Sequence, residues 1–570
     1  MRSTNFDGRF GAIVLLLLLF GPAAALSQVG GGALPRPGET RPELPDFEPD
    51  AEQPGSILPP LVLPQEPDTH GLSGGLKAFV HEVRITGNTV MGDEELSEIT
   101  RGYEGRELGY ADLVALRDSL TLLYTGRGYV TSGAVLPDQS LRDGVVEVWI
   151  VEGRLEDIRV TTDGRFRPSY FESRIARRTK GPVQVQQIEE TLQILQQDDR
   201  IKDIEASLIP GERRGESILE IRVHEAAPYR LFGEGNNYEV PLVGAEAGHV
   251  QAAFTNLTGF GDSIQIDYTM SEGLDEIQAR YKAPVSPWDT ELELHFRYSW
   301  ADVVDQEFDE LRIRSTEETY GITVRQPLYR SVRSKVAAFI TGEYRRSQSF
   351  FFDEGFAFVP GPNSNGVSHV TVLRFGGEFT FRGRRQVFAA RSTFSFGLDA
   401  INATDNPGNI PDSQFFVWLG QLQWARRLSL LDAQLIGRFD IQLSDSPLLG
   451  MEQFAMGGWN TVRGYRQNQL VRDDGMVGSL ELRIPVLHRS DGGTWLELGT
   501  FVDAGYSWNG QRHEVGKSTL VGIGVNARLH ITDRIDFNLD WAEDIKEIHT
   551  DGEWNLQDVG VYAGLTVRFP

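Results

Sequence analysis

From Tyr229 to the end of the chain, apolar and polar residues alternate in one short segment after another. In Glu291–Trp300 the even-numbered residues are Leu, Leu, Phe, Tyr and Trp, and the odd-numbered residues are Glu, Glu, His, Arg and Ser. Because successive side chains of a β-strand point to opposite faces, one face of this segment is apolar and the other is polar. This pattern suits the wall of a transmembrane barrel, with lipid on one side and a wet lumen on the other. Soluble β-sandwiches also alternate, but they rarely sustain the pattern over a unit of this length.

The length of the alternating region predicts the number of strands. The alternation recurs in Ser263–Met270, Val521–Leu529 and Ile535–Trp541. The stretch from Tyr229 to Pro570 contains 342 residues, and a spanning strand with its turns and loops takes about 20 residues. This length gives about 17 strands, and single-chain bacterial barrels have even numbers, so we predict a mainly β fold that ends in a transmembrane β-barrel of about 16 antiparallel strands. The barrel is assigned to residues 229–570.

The N-terminus predicts export from the cytoplasm. Arg2 and Arg9 make the start basic, Ala12–Phe20 is an unbroken apolar run, and small residues follow it. This order is that of a secretory signal peptide, which we assign to residues 1–27. A membrane anchor is less favoured, because the run is too short to cross a hydrocarbon core of about 30 Å.

A proline-rich acidic linker is predicted over residues 28–76. Its central part, Pro35–Pro67, contains ten prolines and many acidic residues. A segment of this composition buries too little apolar surface to offset the entropy lost on ordering. We interpret it as an extended, mostly disordered spacer, and it has no helical period that predicts a pore-plugging helix.

Two small α/β modules are predicted between the linker and the barrel, over residues 77–153 and 154–226. Each has the order β-α-α-β-β. In the first module, four leucines from Leu113 to Leu123 recur at the spacing of one helix face, and in the second the same spacing runs from Val185 to Leu195. Strands are predicted before and after these helices, including one over Phe79–Ile85.

Composition excludes several functional classes. The sequence has no cysteine, which excludes disulfides, thiolate metal ligands and cysteine nucleophiles. The formal net charge is −26, whereas a nucleic-acid-binding protein usually carries an excess of basic residues. The ten histidines are scattered without metalloprotease spacing, and there is no nucleophile elbow. We therefore predict no catalytic residue, no metal site, no cofactor and no nucleic-acid partner, so the protein is not expected to be an enzyme. Asp473–Gly475 is interpreted as an acidic extracellular turn rather than a metal loop.

The barrel region contains two short motifs, one with an arginine and one with an aspartate about two strands further on. They are Val462, Arg463, Gly464 and Tyr465, followed by Phe501, Asp503 and Gly505. Arginine keeps its charge and has a planar fork of donors, and a carboxylate across a crowded lumen can accept two of those hydrogen bonds. Gly464 permits close approach or a positive φ, and Tyr465 can pack while its hydroxyl finds a partner. An ordinary surface-loop charge is the alternative for Arg463.

The export signal, the repeated α/β module and the two motifs together resemble the superfamily that joins periplasmic POTRA domains to an outer-membrane β-barrel. In that superfamily the arginine motif lies on a loop that folds back into the barrel. The resemblance implies that Arg463 reaches Asp503 on the inner wall. It also implies that the last strand, with Val567 and Phe569, carries the signal read by the outer-membrane barrel assembly machinery, although Pro570 follows the aromatic residue here.

Two POTRA-like domains, rather than several, resemble the two-partner-secretion transporters of the haemolysin secretion/activation type. The resemblance covers roughly Phe79–Pro570. It implies a protein of the Gram-negative outer membrane, with its POTRA domains in the periplasm and its barrel among outer-membrane lipids. It further implies that the POTRA domains capture an unfolded secreted exoprotein, which crosses through the barrel to the cell surface. The main alternative is an outer-membrane protein insertase, which usually carries more POTRA domains. A passive porin would not need the POTRA pair.

Overall fold

The structure is a computed structural model that describes residues 41–47, 57–58, 77–139, 143–306, 308–489, 493–509, 518–548 and 552–569. The chain divides into two compact units. One comprises residues 51–228 with residues 256–261, and the other comprises the barrel together with the N-terminal residues up to 50. The predicted signal peptide lies outside the described residues.

The first POTRA-like domain has two small sheets and two helices. Its elements are β1 (Lys77–Val80), β2 (Glu82–Thr86), α1 (Asp93–Thr100), β3 (Arg106–Gly109), α2 (Tyr110–Gly126), β4 (Gly133–Val135) and β5 (Val145–Val151). Strands β2, β5 and β4 form a three-stranded sheet in that order, and β1 pairs with β3. Leu116 and Leu120 of α2 are completely buried in one core with Val146 and Val148 of β5, so the predicted leucine face packs on its own sheet.

The second POTRA-like domain repeats this design without the extra strand pair. Its elements are β6 (Arg154–Thr162), α3 (Pro168–Arg178), α4 (Val185–Gln196), β7 (Ile201–Pro210) and β8 (Glu216–Glu225). The sheet has the order β6-β8-β7, with β6 parallel and β7 antiparallel to β8. Pro168 occupies the first turn of α3, where its missing N–H costs no hydrogen bond. Ile188 and Leu192 of α4 are buried against this sheet.

The barrel consists of sixteen long strands, of which every neighbouring pair is antiparallel, and β27 pairs with β9 to close it. They are β9 (Tyr229–Asn236), β10 (Ala247–Thr255), β11 (Ser263–Met270), β12 (Leu274–Pro284), β13 (Glu291–Asp302), β14 (Arg314–Arg330), β15 (Ser334–Phe351), β17 (Val367–Arg382), β18 (Gln386–Leu398), β19 (Phe416–Arg427), β20 (Gln434–Ser444), β23 (Asp474–His488), β24 (Thr494–Trp508), β25 (Ser518–Thr532), β26 (Ile535–Asp544) and β27 (Val561–Phe569). Three short strands lie in the loops: β16 (Glu354–Gly355), β21 (Phe454–Met456) and β22 (Leu470–Arg472). The predicted fold class and strand number are confirmed.

The two faces of the barrel wall follow the predicted alternation. In β14, Tyr320, Ile322 and Val324 are each close to half exposed, whereas Glu317 and Thr319 are buried on the inner face. Because the barrel is closed, no strand edge with unpaired backbone groups has to meet lipid. The connections at one end of the barrel have two to seven residues, and those at the other end have 9 to 29 residues apart from the three-residue turn between β11 and β12. This is the arrangement of short periplasmic turns and longer extracellular loops. Among the described residues, no helix is both long and apolar enough to span a bilayer.

Two strand predictions were wrong in detail. The strand predicted over Phe79–Ile85 is interrupted at His81, whose amide donates to the carbonyl of Gly144 at 2.7 Å. This contact lets β1 leave the main sheet and pair with β3. The alternation of apolar and polar residues at the end of the chain starts at Val559, which predicts a strand from there, but the last strand begins at Val561 because Gly560, with a φ of +65°, ends a short 3-10 turn just before it.

Part of the predicted linker makes contacts that its composition did not predict. Ile57 and Leu58 pack in the core of the second POTRA-like domain. Residues 41–47, without helix or strand, lie against the inner wall of the barrel. The remaining linker residues lie outside the described part of the chain.

Candidate functional site

A long loop between β20 and β23 folds back into the barrel. It carries the hairpin β21–β22 and, between these two strands, the predicted motif with Arg463. Val462 is completely buried in an apolar cluster with Phe454 and Met456 of β21. This cluster fixes the base of the motif, so the arginine is presented from an ordered loop.

Arg463 reaches three carboxylates on the inner wall. Its Nε and Nη2 donate to Oδ2 and Oδ1 of Asp503 at 2.7 and 3.0 Å, which is a bidentate pair. Its Nη1 donates to Asp540 Oδ1 at 2.9 Å and to Glu481 Oε2 at 3.4 Å. The guanidinium also lies over the ring of Phe501, 3.2 Å from the centroid. All five residues are at most 3% exposed, so solvent screens these interactions very little.

The surrounding charges keep Arg463 protonated in this buried position. Burial alone lowers the pKa of Arg463, because desolvation penalises the cation. The attraction of Asp503, Glu481 and Asp540 outweighs that penalty and raises the pKa above its ordinary value. Glu481 is also within ion-pair distance of three further arginines, Arg438, Arg483 and Arg528. The loop arginine is therefore part of a network rather than of one isolated pair.

Glycines allow the loop backbone to touch the wall. Gly464 has a φ of +97°, which residues with a side chain rarely adopt. On β25, a Cβ added to Gly522 would lie 1.9 Å from the carbonyl oxygen of Arg463. On β24, a Cβ added to Gly505 would lie 2.1 Å from the sulfur of Met456. Any larger residue at these wall positions would push the loop away from its carboxylate partners.

Two tyrosine hydroxyls hold the backbone on either side of Gly464. The hydroxyl of Tyr562 accepts from the amide of Gly464 at 3.2 Å and donates to the carbonyl of Tyr465 at 2.5 Å. The hydroxyl of Tyr465 lies 3.1 Å from the carbonyl of Val521 and 3.0 Å from that of Lys546. These bonds tie the loop to β25, β27 and the segment after β26.

A second anchor of opposite polarity holds the root of the same loop. Glu452, just before β21, accepts from Arg345 Nη1 at 2.9 Å and from Arg374 Nη2 at 2.8 Å. Arg345 also donates to Glu317 at 2.7 Å, and Arg374 donates to Glu343 at 2.9 Å. These two arginines and the two carboxylates behind them lie on β14, β15 and β17. The loop is therefore held by carboxylates on one part of the wall and by arginines on another.

The structure brings together all seven residues of the two predicted motifs: Val462, Arg463, Gly464, Tyr465, Phe501, Asp503 and Gly505. Val567 and Phe569 lie elsewhere, on β27, where Phe569 pairs with Leu231 across the closing seam. Their role as an assembly signal stays a prediction. Asp473 and Asp474, predicted as an extracellular turn, are buried and accept hydrogen bonds from backbone amides at the loop root.

Sequence reasoning missed several members of the site, namely Glu481, Asp540, Gly522, Tyr562 and Glu452. Asp540 offered a signal, because it is a carboxylate on the polar face of the alternating segment Ile535–Trp541. Glu452 offered none, because the loop around it has no period. Among the described residues, no cluster of side chains suited to hold a metal ion is present.

Comparison with known proteins identifies the family and the fold. A family model described as haemolysin secretion/activation protein ShlB/FhaC/HecB matches residues 215–529, and a model described as POTRA domain, ShlB-type, matches residues 78–153. The outer membrane transporter CdiB of Dickeya dadantii is 23% identical over 79% of this chain and 80% of its own length. The heme/hemopexin transporter protein HuxB of Haemophilus influenzae is 22% identical over 92% of each chain. A solved structure of CdiB from Escherichia coli superposes with a TM-score of 0.65 at 20% identity, over 88% of this chain and 93% of that one.

A closed sixteen-strand barrel, two preceding POTRA-like domains, of which the first matches the POTRA model, and a loop anchored inside the lumen define an outer-membrane β-barrel transporter of the kind with periplasmic POTRA domains. The family model covers more than half of the chain. The chain belongs to the haemolysin secretion/activation (ShlB/FhaC/HecB) family, and the predicted resemblance and location are confirmed.

Tyr465→Phe is expected to loosen the loop without unfolding the barrel, because it removes the hydroxyl bonds and keeps the ring. Losing them weakens the anchor by about 1–2 kcal/mol, which raises the population of released loop about 5- to 30-fold. The natural chain has no cysteine, so a single Ala455→Cys, at a position 1% exposed, reports release through its rate of maleimide labelling. Tyr320→Phe on the lipid-facing surface is the matched control and should leave the rate unchanged. An unchanged rate in Tyr465→Phe would contradict the anchoring role of the hydroxyl.

Proposed function

We propose that this transporter captures one unfolded exoprotein in the periplasm with its POTRA domains and passes it through the barrel to the cell surface. The observation that carries the proposal is the loop with Arg463, held inside a closed barrel by three buried carboxylates. A passive pore has no need of such a loop or of two POTRA domains. The relatives named above are transporters, and we propose that this chain likewise acts by transport and not by catalysis.

The sheets of the POTRA domains supply a means of capture. Within the described residues, β6 and β7 each pair lengthwise with β8 and with no other named strand, which leaves each with an outer edge. An extended segment can add to such an edge through main-chain hydrogen bonds, which depend little on its sequence. The helix faces are already used, since Ile188 and Leu192 are buried in the domain core. Capture by β-augmentation therefore suits an unfolded client in transit.

A fragment of residues 77–226 is expected to bind the secretion region of the exoprotein in its non-native state. Apart from Ile57 and Leu58, which lie outside the fragment, each domain in it keeps its own buried core, so the fragment should fold without the barrel. Binding should be weak to moderate, because the client loses chain entropy on docking. A titration followed by NMR or fluorescence, with the natively folded exoprotein as control, measures it. Binding of unfolded barrel proteins but not of the exoprotein would favour an insertase instead.

We also propose roles for the remaining predicted elements. We take residues 1–27 as the signal peptide and residues 28–76 as the linker. We take residues 77–153 and 154–226 as the two POTRA domains and residues 229–570 as the barrel. Val567 and Phe569, at the end of β27, are taken as the residues that the barrel assembly machinery reads before the barrel enters the lipid. Deletion of these two residues should reduce the heat-modifiable, folded form of the protein in the outer membrane, whereas Leu565→Ala on the same face should not.

A further inference from the structure

Residues 41–47 occupy a defined position on the inner wall of the barrel. The segment reads Arg-Pro-Glu-Leu-Pro-Asp-Phe. At its head, Arg41 Nε donates to Asp440 Oδ2 at 2.6 Å, and the carboxylate of Asp440 is completely buried. Nη1 of Arg41 donates to the backbone and side-chain oxygens of Asn460 at 3.0 and 3.1 Å. Arg41 therefore binds both the wall and the anchored loop. Its contact on the loop, Asn460, stands three residues before Arg463.

The segment continues with two apolar contacts. Leu44 and Phe47 pack against a buried cluster on the wall, which consists of Val387, Ala425 and Ile436. The guanidinium of Arg427 lies over the ring of Phe47, 4.4 Å from its centroid, which is within cation–π distance. The wall thus offers a carboxylate and, further along, an apolar patch with a cation above it.

The wall also holds the backbone of the segment. Gln423 Nε2 donates to the carbonyl of Pro42 at 2.7 Å, and Arg382 Nη2 donates to the carbonyl of Phe47 at 3.3 Å. Bonds to carbonyl oxygens do not depend on the side chain of the ligand residue. They fix the register of an extended peptide and leave selection to the side-chain contacts.

The contacting side chains are spaced by three residues. Arg41, Leu44 and Phe47 face the wall, and Pro42 and Pro45 lie between them. A polyproline II helix has three residues per turn and no internal hydrogen bonds, so every third side chain falls on one face. Proline fixes its own φ near the value of this helix. The three-residue spacing and the two prolines are those expected of a polyproline II segment that presents one cation and two apolar groups to the wall.

We propose that this part of the lumen wall is a binding groove for a polyproline II peptide in which an arginine is followed, at three-residue intervals, by two apolar side chains. Its lining residues are Arg382, Val387, Gln423, Arg427, Ile436 and Asp440. Residues 41–47 are its resident ligand. The groove is exchangeable: when the resident segment leaves, the buried carboxylate of Asp440 loses its ion pair with Arg41, which is unfavourable, and another peptide with the same spacing can take its place. The proposal rests on these contacts and does not require the export function.

Peptide binding to the full chain tests the groove. The variant Arg41→Ala/Leu44→Ala/Phe47→Ala disables the resident ligand without changing the wall, and its gel mobility before and after heating reports that the barrel is folded. The probe is a fluorescein-labelled synthetic peptide of residues 38–50, titrated in detergent and followed by anisotropy. We expect the triple variant to bind it about tenfold or more tightly than the natural chain, in which the tethered segment competes at a high effective concentration.

Two controls address the proposed recognition. A peptide of the same composition with Leu44 and Pro45 exchanged breaks the three-residue spacing and should bind about tenfold more weakly. Asp440→Asn in the triple variant should weaken binding of the natural peptide by about tenfold or more, because the arginine loses a buried charge partner. Equal binding of the two peptides, or no binding of the natural peptide to the folded triple variant, would overturn the proposal.

Discussion

Arg463→Ala is expected to abolish most exoprotein secretion while the barrel still reaches the outer membrane. The substitution leaves three buried carboxylates without their shared cation, and removing one partner of a buried ion pair costs about 3–5 kcal/mol. The backbone hydrogen bonds of the barrel do not involve this side chain. The loss should therefore fall on the position of the loop. Secretion is measured as exoprotein in the culture medium relative to exoprotein retained in the cells.

Two further variants identify the cause of that loss. Arg463→Lys keeps the charge but cannot form the bidentate pair with Asp503, so it should restore secretion in part at most. Arg312→Ala removes one positive charge from a side chain that is 70% exposed, outside the network, and should secrete like the natural chain. Natural levels of secretion from Arg463→Ala would show that the motif has no role here.

Glu452→Ala is expected to release the root of the loop and to impair secretion almost as strongly. It leaves the guanidinium groups of Arg345 and Arg374 without their shared carboxylate on the loop. Glu317 and Glu343 still neutralise these arginines in part, so we expect a loss near the lower end of the range of about 3–5 kcal/mol for a buried pair. The Ala455→Cys reporter should then react with maleimide about 100-fold faster, since about 1.4 kcal/mol corresponds to a factor of ten.

The matched control for this variant is Glu318→Ala. Glu318 stands next to Glu317 on β14, and its substitution breaks a partly exposed pair with Arg346 of β15. A pair with that degree of exposure contributes about 1 kcal/mol or less, so labelling should change little. If Glu452→Ala labels no faster than Glu318→Ala, Arg345 and Arg374 do not hold the loop.

The sequence predicted the barrel because a two-residue period is a local property of each strand. Ser263–Met270 was predicted with the bounds that the structure gives it. The pair Arg463–Asp503 was also predictable, because both residues stand in recognisable motifs. The polar strand face that carries Asp540 was predictable, but neither Asp540 nor Glu481 could be assigned to the site, because an inward-facing carboxylate on one strand resembles any other until the register of the strands and the path of the loop are known.

Contacts between remote segments were the hardest to predict. Arg41 and Asp440 are 399 positions apart, and the composition around Arg41 indicates only that the segment cannot form a core of its own. The groove on the wall supplies the buried surface that the segment lacks. In the same way, His81 interrupts a segment of good strand pattern because its amide bonds to Gly144, a tertiary contact that overrides local preference.

Site-specific photocrosslinking tests most directly whether the exoprotein passes through the barrel. A photoreactive amino acid is placed at Thr341, which is buried on the inner face of β15, or at Ile340, which is 57% exposed on the outer face. The probe is the candidate exoprotein, stalled in transit by a folded domain fused to its C-terminus. We predict crosslinks to this protein from position 341 and none from position 340. Crosslinks from position 340 alone, or crosslinks solely to unfolded barrel proteins, would contradict transport through the lumen.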